Sequence, residues 1–194
     1  MTRTRGAAVL GCALSCAVAA GAAAAPVPAS IRVEGAERTI IAERAQATSE
    51  TAVADRSSGE IRVVPGPTAL GQLIRAGAAT GTPVRTSFTD AFGPLAALVE
   101  RIGPDDQGLA FDGPGFWLFK VNHRASQVAA NQRRLRRGDR VLWYFTANFA
   151  ALELEVTAPS RPVRRSRPFV ARVFAYDDRG ARRAAAGARV RYAG

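Results

Sequence analysis

His123 is the one histidine in a chain of 194 residues, and the two cysteines, Cys12 and Cys16, both lie near the N-terminus. A Ser-His-Asp triad would have to be built on His123, which follows Asn122 in a segment that reads as a hairpin turn, where a histidine serves the turn rather than catalysis. A lone histidine with no thiol in the body of the chain rules out the usual zinc ligand sets. Gly-x-Ser-x-Gly, His-Glu-x-x-His and phosphate-cradling glycine loops are absent from the sequence. Asp105 and Asp106, with Asp112 nearby, lack the alternating ligand spacing of calcium loops and read as a solvated loop. The residue types point away from an enzyme, and neither catalytic nor metal-ligating residues are expected.

Binding chemistry is better represented. Arg133, Arg134, Arg136 and Arg137 form a basic cluster around Leu135, and Arg161, Arg164, Arg165 and Arg167 add to it. Such clusters hold anionic polymers or acidic surfaces through charge. The net charge is +11, yet 26 arginines stand against a single lysine, Lys120. That skew, with the abundant alanine, reads as codon bias, so a solvated basic face is the simpler reading and no specific nucleic acid is expected. Arg137-Gly138-Asp139 spells an adhesion tripeptide. Trp117 and Trp143 lie within apolar runs and are most simply core packing; where one faces a groove, it would stack on a flat ligand.

The elements that must position these residues follow from pattern. Arg3 and Arg5 precede an uncharged Ala/Gly-rich run from Gly6 to Ala25, the order of a secretory signal peptide, with cleavage expected near Ala24. Cleavage would remove both cysteines, leaving a mature chain without disulfides. Ile31 to Ile41 reads as a short hairpin. From Ala42 to Gly66 the chain is small and polar, with only Ile61 to Val64 able to form a strand. Thr68 caps a helix to about Thr80, its apolar residues Leu70, Leu73 and Ile74 at helical spacing and Gly81-Thr82-Pro83 as its stop. Val84 to Thr89 is strand-like, Leu95 to Ile102 is ambiguous, and Gly103 to Gly115 is a loop.

Two dense strands follow. Phe116 to Val121 places Trp117, Phe119 and Val121 on one face, and Arg140 to Phe145 does the same with Val141, Trp143 and Phe145. Leu152, Leu154 and Val156 alternate with Glu153 and Glu155 in a half-exposed strand. A Pro/Arg linker spans residues 158–168, and beyond it Phe169 to Ala175 and Ala188 to Tyr192 read as strands around a turn.

In order, Ile31-Arg32-Val33-Glu34-Gly35, Thr68-Ala69-Leu70, Phe116-Trp117-Leu118-Phe119-Lys120-Val121-Asn122 and Gly138-Asp139-Arg140-Val141-Leu142-Trp143-Tyr144 resemble the transcobalamin-like C-terminal domain family over about Ser30 to Val156. The resemblance implies an α+β, β-grasp-like fold with one main helix on a mixed sheet, in secreted or surface proteins. In the animal cobalamin carriers such a domain closes over one side of the vitamin, together with a helical domain not found in this sequence. Two departures stand out. His123 replaces the glycine of Val-Asn-Gly, so the turn is strained or longer; and the cysteines of many relatives are missing from Val53 to Gly59 and Val128 to Arg134. The tail, residues 169–194, resembles the opening of a bacterial immunoglobulin-like repeat, an incomplete β-sandwich hairpin expected to add little stability unless it docks on the first domain.

The reading is therefore a signal peptide (1–24), a transcobalamin-C-terminal-like domain (25–157), a linker (158–168) and a partial immunoglobulin-like segment (169–194). The expected function is an exported, non-catalytic ligand-binding or surface-display module, secreted or held at the cell surface, meeting a membrane only through an uncleaved signal segment. Trp117, Asn122, Trp143 and Tyr144 are the candidates for a small flat ligand, and Arg133, Arg134, Arg136 and Arg137 for a polyanion. Its alternatives are a carrier of a flat cofactor such as a corrinoid, or a basic module holding anionic cell-wall polymer; no cofactor is assigned.

Overall fold

The structure, a computed structural model, describes residues 25–107, 115–147, 151–159 and 168–190. The expected signal peptide, Asp112, the arginines at 161, 164, 165 and 167, and Tyr192 lie outside them. The described residues form one helix and thirteen strands, an α+β arrangement dominated by sheet.

The central sheet runs in the order β2 (Thr39–Thr48), β1 (Val27–Glu34), β10 (Arg140–Thr146), β8 (Phe116–Val121), β9 (Arg124–Ala125). β1 and β10 are parallel, Ser30 opposite Arg140 and Val33 opposite Trp143, and the other pairs are antiparallel. Alternation decides the buried face: Ala29, Ile31 and Val33 meet Val141 and Trp143, and these meet Val121 and Trp117, in one apolar core. Phe119 stacks on Trp143 with centroids 4.9 Å apart, and Trp117 meets Phe145 edge-on at 5.3 Å.

α1 (Ala69–Thr80) closes the core, with Leu70, Leu73 and Ala76 fully buried and the helix packed against β2 and β3 (Thr51–Ala54). Thr68 is its N-cap, Oγ1 accepting from the Gly71 amide at 3.1 Å, and Gly81 ends it in the left-handed region at φ 68°. β3 pairs with β4 (Ile61–Val64), and β5 (Val84–Thr89) with β6 (Ala96–Ile102) and β7 (Asp105–Asp106).

β11 (Glu153–Thr157) pairs with β12 (Arg172–Tyr176), and β12 with β13 (Arg182–Ala184), so one small sheet joins strands on both sides of residues 158–168. Its tail is docked on the central sheet: Ala175 and Tyr176 are buried, and the Ala125 amide donates to the Asp178 carbonyl at 2.9 Å.

Several local expectations need correction. The polar stretch from Ala42 holds two strands besides β4, because the outer β2 needs only its backbone pairing with β1 and keeps a largely exposed side, so little apolar alternation marks it. The ambiguous Leu95 to Ile102 is a strand, and the loop after it opens with the short β7. β11 alternates with inverted sense: Leu154 and Val156 are exposed, while Glu153 and Glu155 face protein partners. The hairpin partner of β12 is Arg182–Ala184 rather than Ala188 to Tyr192, residues 188–190 being outside any strand.

Candidate functional site

β8 and β10 give the sheet an aromatic centre with two different faces. On the core side, Trp117 and Trp143 are only 5% and 1% exposed. The Trp117 indole donates to the Asp105 carbonyl at 3.1 Å, whereas Trp143 Nε1 is buried with no partner among the described residues. β8 is paired with β10 along its whole length, but among the described residues its other edge meets a strand, β9, only at Lys120 and Val121. The remainder of that edge opens into a cavity of about 620 Å³ whose other walls are Leu98 and Val99 of β6 and residues 125–130. Gln107 reaches across, its Oε1 accepting from the Trp117 amide at 3.1 Å.

Trp117, Trp143 and Tyr144 all line this cavity. Asn122 does not. Its Nδ2 donates to Asp139 Oδ1 at 2.8 Å and its Oδ1 accepts from the Arg140 amide at 2.9 Å, so its side chain fastens the β8–β9 turn to the start of β10.

The opposite face carries charge. Lys120 has no exposed side-chain surface; its Nζ lies 3.1 Å from Asp178 Oδ1 and 5.8 Å from the centroid of Tyr144. Burial, with the nearby charges of Asp178 and Glu153, pushes the Tyr144 phenol up to about 12. Glu153 Oε1 lies 2.9 Å from His123 Nδ1, while Glu153 Oε2 is buried without a partner among the described residues. The Tyr176 hydroxyl donates to Glu155 Oε2 at 2.6 Å, which lowers the pKa of Glu155 and raises that of Tyr176. Glu155 Oε1 also accepts from Arg140 at 3.3 Å. His123 thus has a carboxylate and a phenol ring for neighbours, an arrangement that anchors the tail.

The basic candidates fall on the segment between β9 and β10. Arg134, Arg136 and Arg137 are exposed, Arg133 is half-buried, and Leu135 between them is 3% exposed and fixes the segment to the core. Asp139 of the Arg-Gly-Asp tripeptide accepts from Asn122 and from the Arg136 amide, each at 2.8 Å, so its carboxylate is occupied within the turn. Asp105 and Asp106 are also engaged, Asp105 accepting from the Ala36 amide at 3.0 Å and Asp106 pairing with Arg85. The described residues contain no group of three or more His, Cys, Asp or Glu side chains placed to hold a metal ion.

Lys120, Asp178 and Glu153 were not among the sequence candidates. The lone lysine was a visible signal, but nothing in local spacing pairs it with a carboxylate in the tail.

A family model described as a domain of unknown function, DUF4430, matches residues 103–147, the stretch containing β7 to β10 and the basic segment. No curated protein matches the chain.

Proposed function

We propose that this chain is an exported, non-catalytic binding module of β-grasp-like architecture that takes a small flat apolar ligand into the cavity beside the open edge of β8. The observation carrying this reading is the convergence of Trp117, Trp143 and Tyr144, drawn from two strands, on one largely apolar cavity of about 620 Å³. That volume suits a drug-sized molecule. The tryptophans form the rigid back wall, and half-buried Phe116 and Leu118 supply the surface a ligand would touch. A corrinoid laid across the mouth is the family-based version of this reading.

Titration with anilinonaphthalene sulfonate and with cyanocobalamin, read by tryptophan emission, tests it. Emission should change saturably with at least one probe, and Leu98→Trp, which fills the cavity, should abolish the effect while melting stays cooperative. No saturable change with either probe, or equal binding by the filled variant, overturns the proposal.

The exposed arginines at 134, 136 and 137 favour a second contact, with an anionic surface polymer. Retention on polyphosphate should fall steeply with salt, and by less in a variant with all three changed to serine. Salt-independent retention argues against it.

A further inference from the structure

We propose that Lys120 and Asp178 join through an intramolecular amide, an isopeptide bond tying the tail to the central sheet. Lys120 is the single lysine beside 26 arginines. Wherever else this chain carries a basic side chain for charge or hydrogen bonding it uses a guanidinium, and its one primary amine stands at a position with no exposed side-chain surface. A guanidinium is a poor nucleophile; an amine that loses its proton is a good one.

The amine is held rigidly. Lys120 lies between Leu142 of β10 and Ala125 of β9. The same Ala125 clamps the electrophile, its amide donating to the Asp178 carbonyl at 2.9 Å and so delivering that side chain over β8. Asp177 stiffens the turn further, its Oδ1 accepting from the Arg179 and Ala181 amides at 2.9 and 2.8 Å. The result is Nζ at 3.1 Å from Oδ1, one bond away from the Cγ it would attack, yet Nζ makes no aligned hydrogen bond among the described residues. A buried ammonium lacking hydrogen bonds is costly. In the first step of the reaction the ammonium passes one proton to the facing Asp178 carboxylate, giving the amine and carboxylic acid between which the bond forms.

From that pair the balance is simple. The Nζ lone pair forms a bond to Asp178 Cγ, the Cγ–OH bond breaks, and the hydroxyl leaves with one amine proton as water. No oxidant or cofactor enters. Asp178 keeps about half its side-chain surface in solvent, giving the water an exit. The product is a neutral amide in place of a buried charge.

The test is the intact mass of the purified full chain, measured denatured and corrected for any N-terminal processing found by sequencing. The expected mass is lower than that of the sequence by one water, with a proteolytic fragment joining the peptide of Lys120 to that of Asp178. Asp178→Asn should close the same bond with loss of ammonia and reach the same final mass as the linked wild type. Lys120→Arg and Asp178→Ala should keep their full masses. A wild-type chain at full mass, cleaved normally by trypsin after Lys120, overturns the proposal without reference to how any variant folds.

Discussion

His123 and Tyr176 lie ring on ring, their centroids 3.8 Å apart and their planes 7° from parallel. One belongs to the turn between β8 and β9 and the other ends β12, so this contact holds the tail against the central sheet. It also explains how the turn tolerates its sequence. Asn122 and His123 both take positive φ, 52° and 67°, with Val121 directly opposite Arg124, so the turn is tight and strained rather than lengthened. A left-handed conformation costs a non-glycine residue about 1–2 kcal/mol, and the stack and the Glu153 contact offset it.

Replacing His123 should therefore have different effects in two backgrounds. His123→Gly relaxes the backbone but loses the stack, so it should change wild-type stability little. In a Tyr176→Ala chain, where no stack remains, the same substitution should stabilise by about 1 kcal/mol. Chemical denaturation of the four proteins measures this, and an equal effect in both backgrounds would show that the rings are not coupled.

Asp55 should govern acid stability. It is 1% exposed, and although burial disfavours its charge, bonds from Ser57, Arg62 and Ser58 hold its pKa well below the usual carboxylate range. Because the folded value is depressed, its stabilisation is complete above the unfolded pKa of about 3.9 and is lost as pH falls toward the folded value. Melting temperature should drop between about pH 4 and pH 2, and Asp55→Asn, already less stable at neutral pH, should show a shallower fall. Parallel slopes for the two proteins would assign the acid sensitivity elsewhere.

Trp143 is worth its volume and not its polarity. Trp143→Ala should cost about 3–5 kcal/mol. Trp143→Phe keeps a ring against Phe119 and removes an indole N–H that has no partner among the described residues, so its loss should be well under half of that. Urea unfolding followed by far-ultraviolet circular dichroism gives both values; equal losses would point to a hidden acceptor for the indole.

Deleting residues 160–194 should destabilise what remains. The deletion takes Tyr176 from His123, Asp178 from Lys120 and the β12 backbone from β11. Losing this burial and pairing should cost about 3 kcal/mol, lowering the melting temperature by roughly 10 °C. A shift of only a few degrees in calorimetry would instead mark residues 25–157 as thermally independent of the tail.

Legibility tracked how local the determining physics is. β8, β10 and α1 could be read because their apolar period and the Thr68 and Gly81 caps lie within each segment. β13 could not: Arg182-Arg183-Ala184 has no apolar alternation, and its place rests on pairing with β12 and on the Arg182 guanidinium 3.5 Å from the Phe174 ring centroid. The inverted sense of β11 has a similar cause, since Glu153 turns inward toward His123 and Glu155 toward Tyr176. Trp117, Trp143 and Tyr144 could be singled out by type, whereas the cavity they share depends on β6 and the short reach of β9.

The parallel pairing of β1 with β10 also sets the order of events during synthesis. Ser30 has no parallel partner until Arg140 has been made, and Glu34 none until Tyr144. Before then the nascent chain can offer β1 only the hairpin with β2 and, once it has been made, the cover of α1, and two strands alone do not hold in water. Ile31 and Val33 therefore leave the ribosome early and lack their neighbours Val141 and Trp143 until nearly all of the central sheet has followed. Closing so long a loop is slow relative to local helix formation. A chain interrupted before β10 lacks the strand that joins β1 to β8 and is thus a ready substrate for chaperones and proteases.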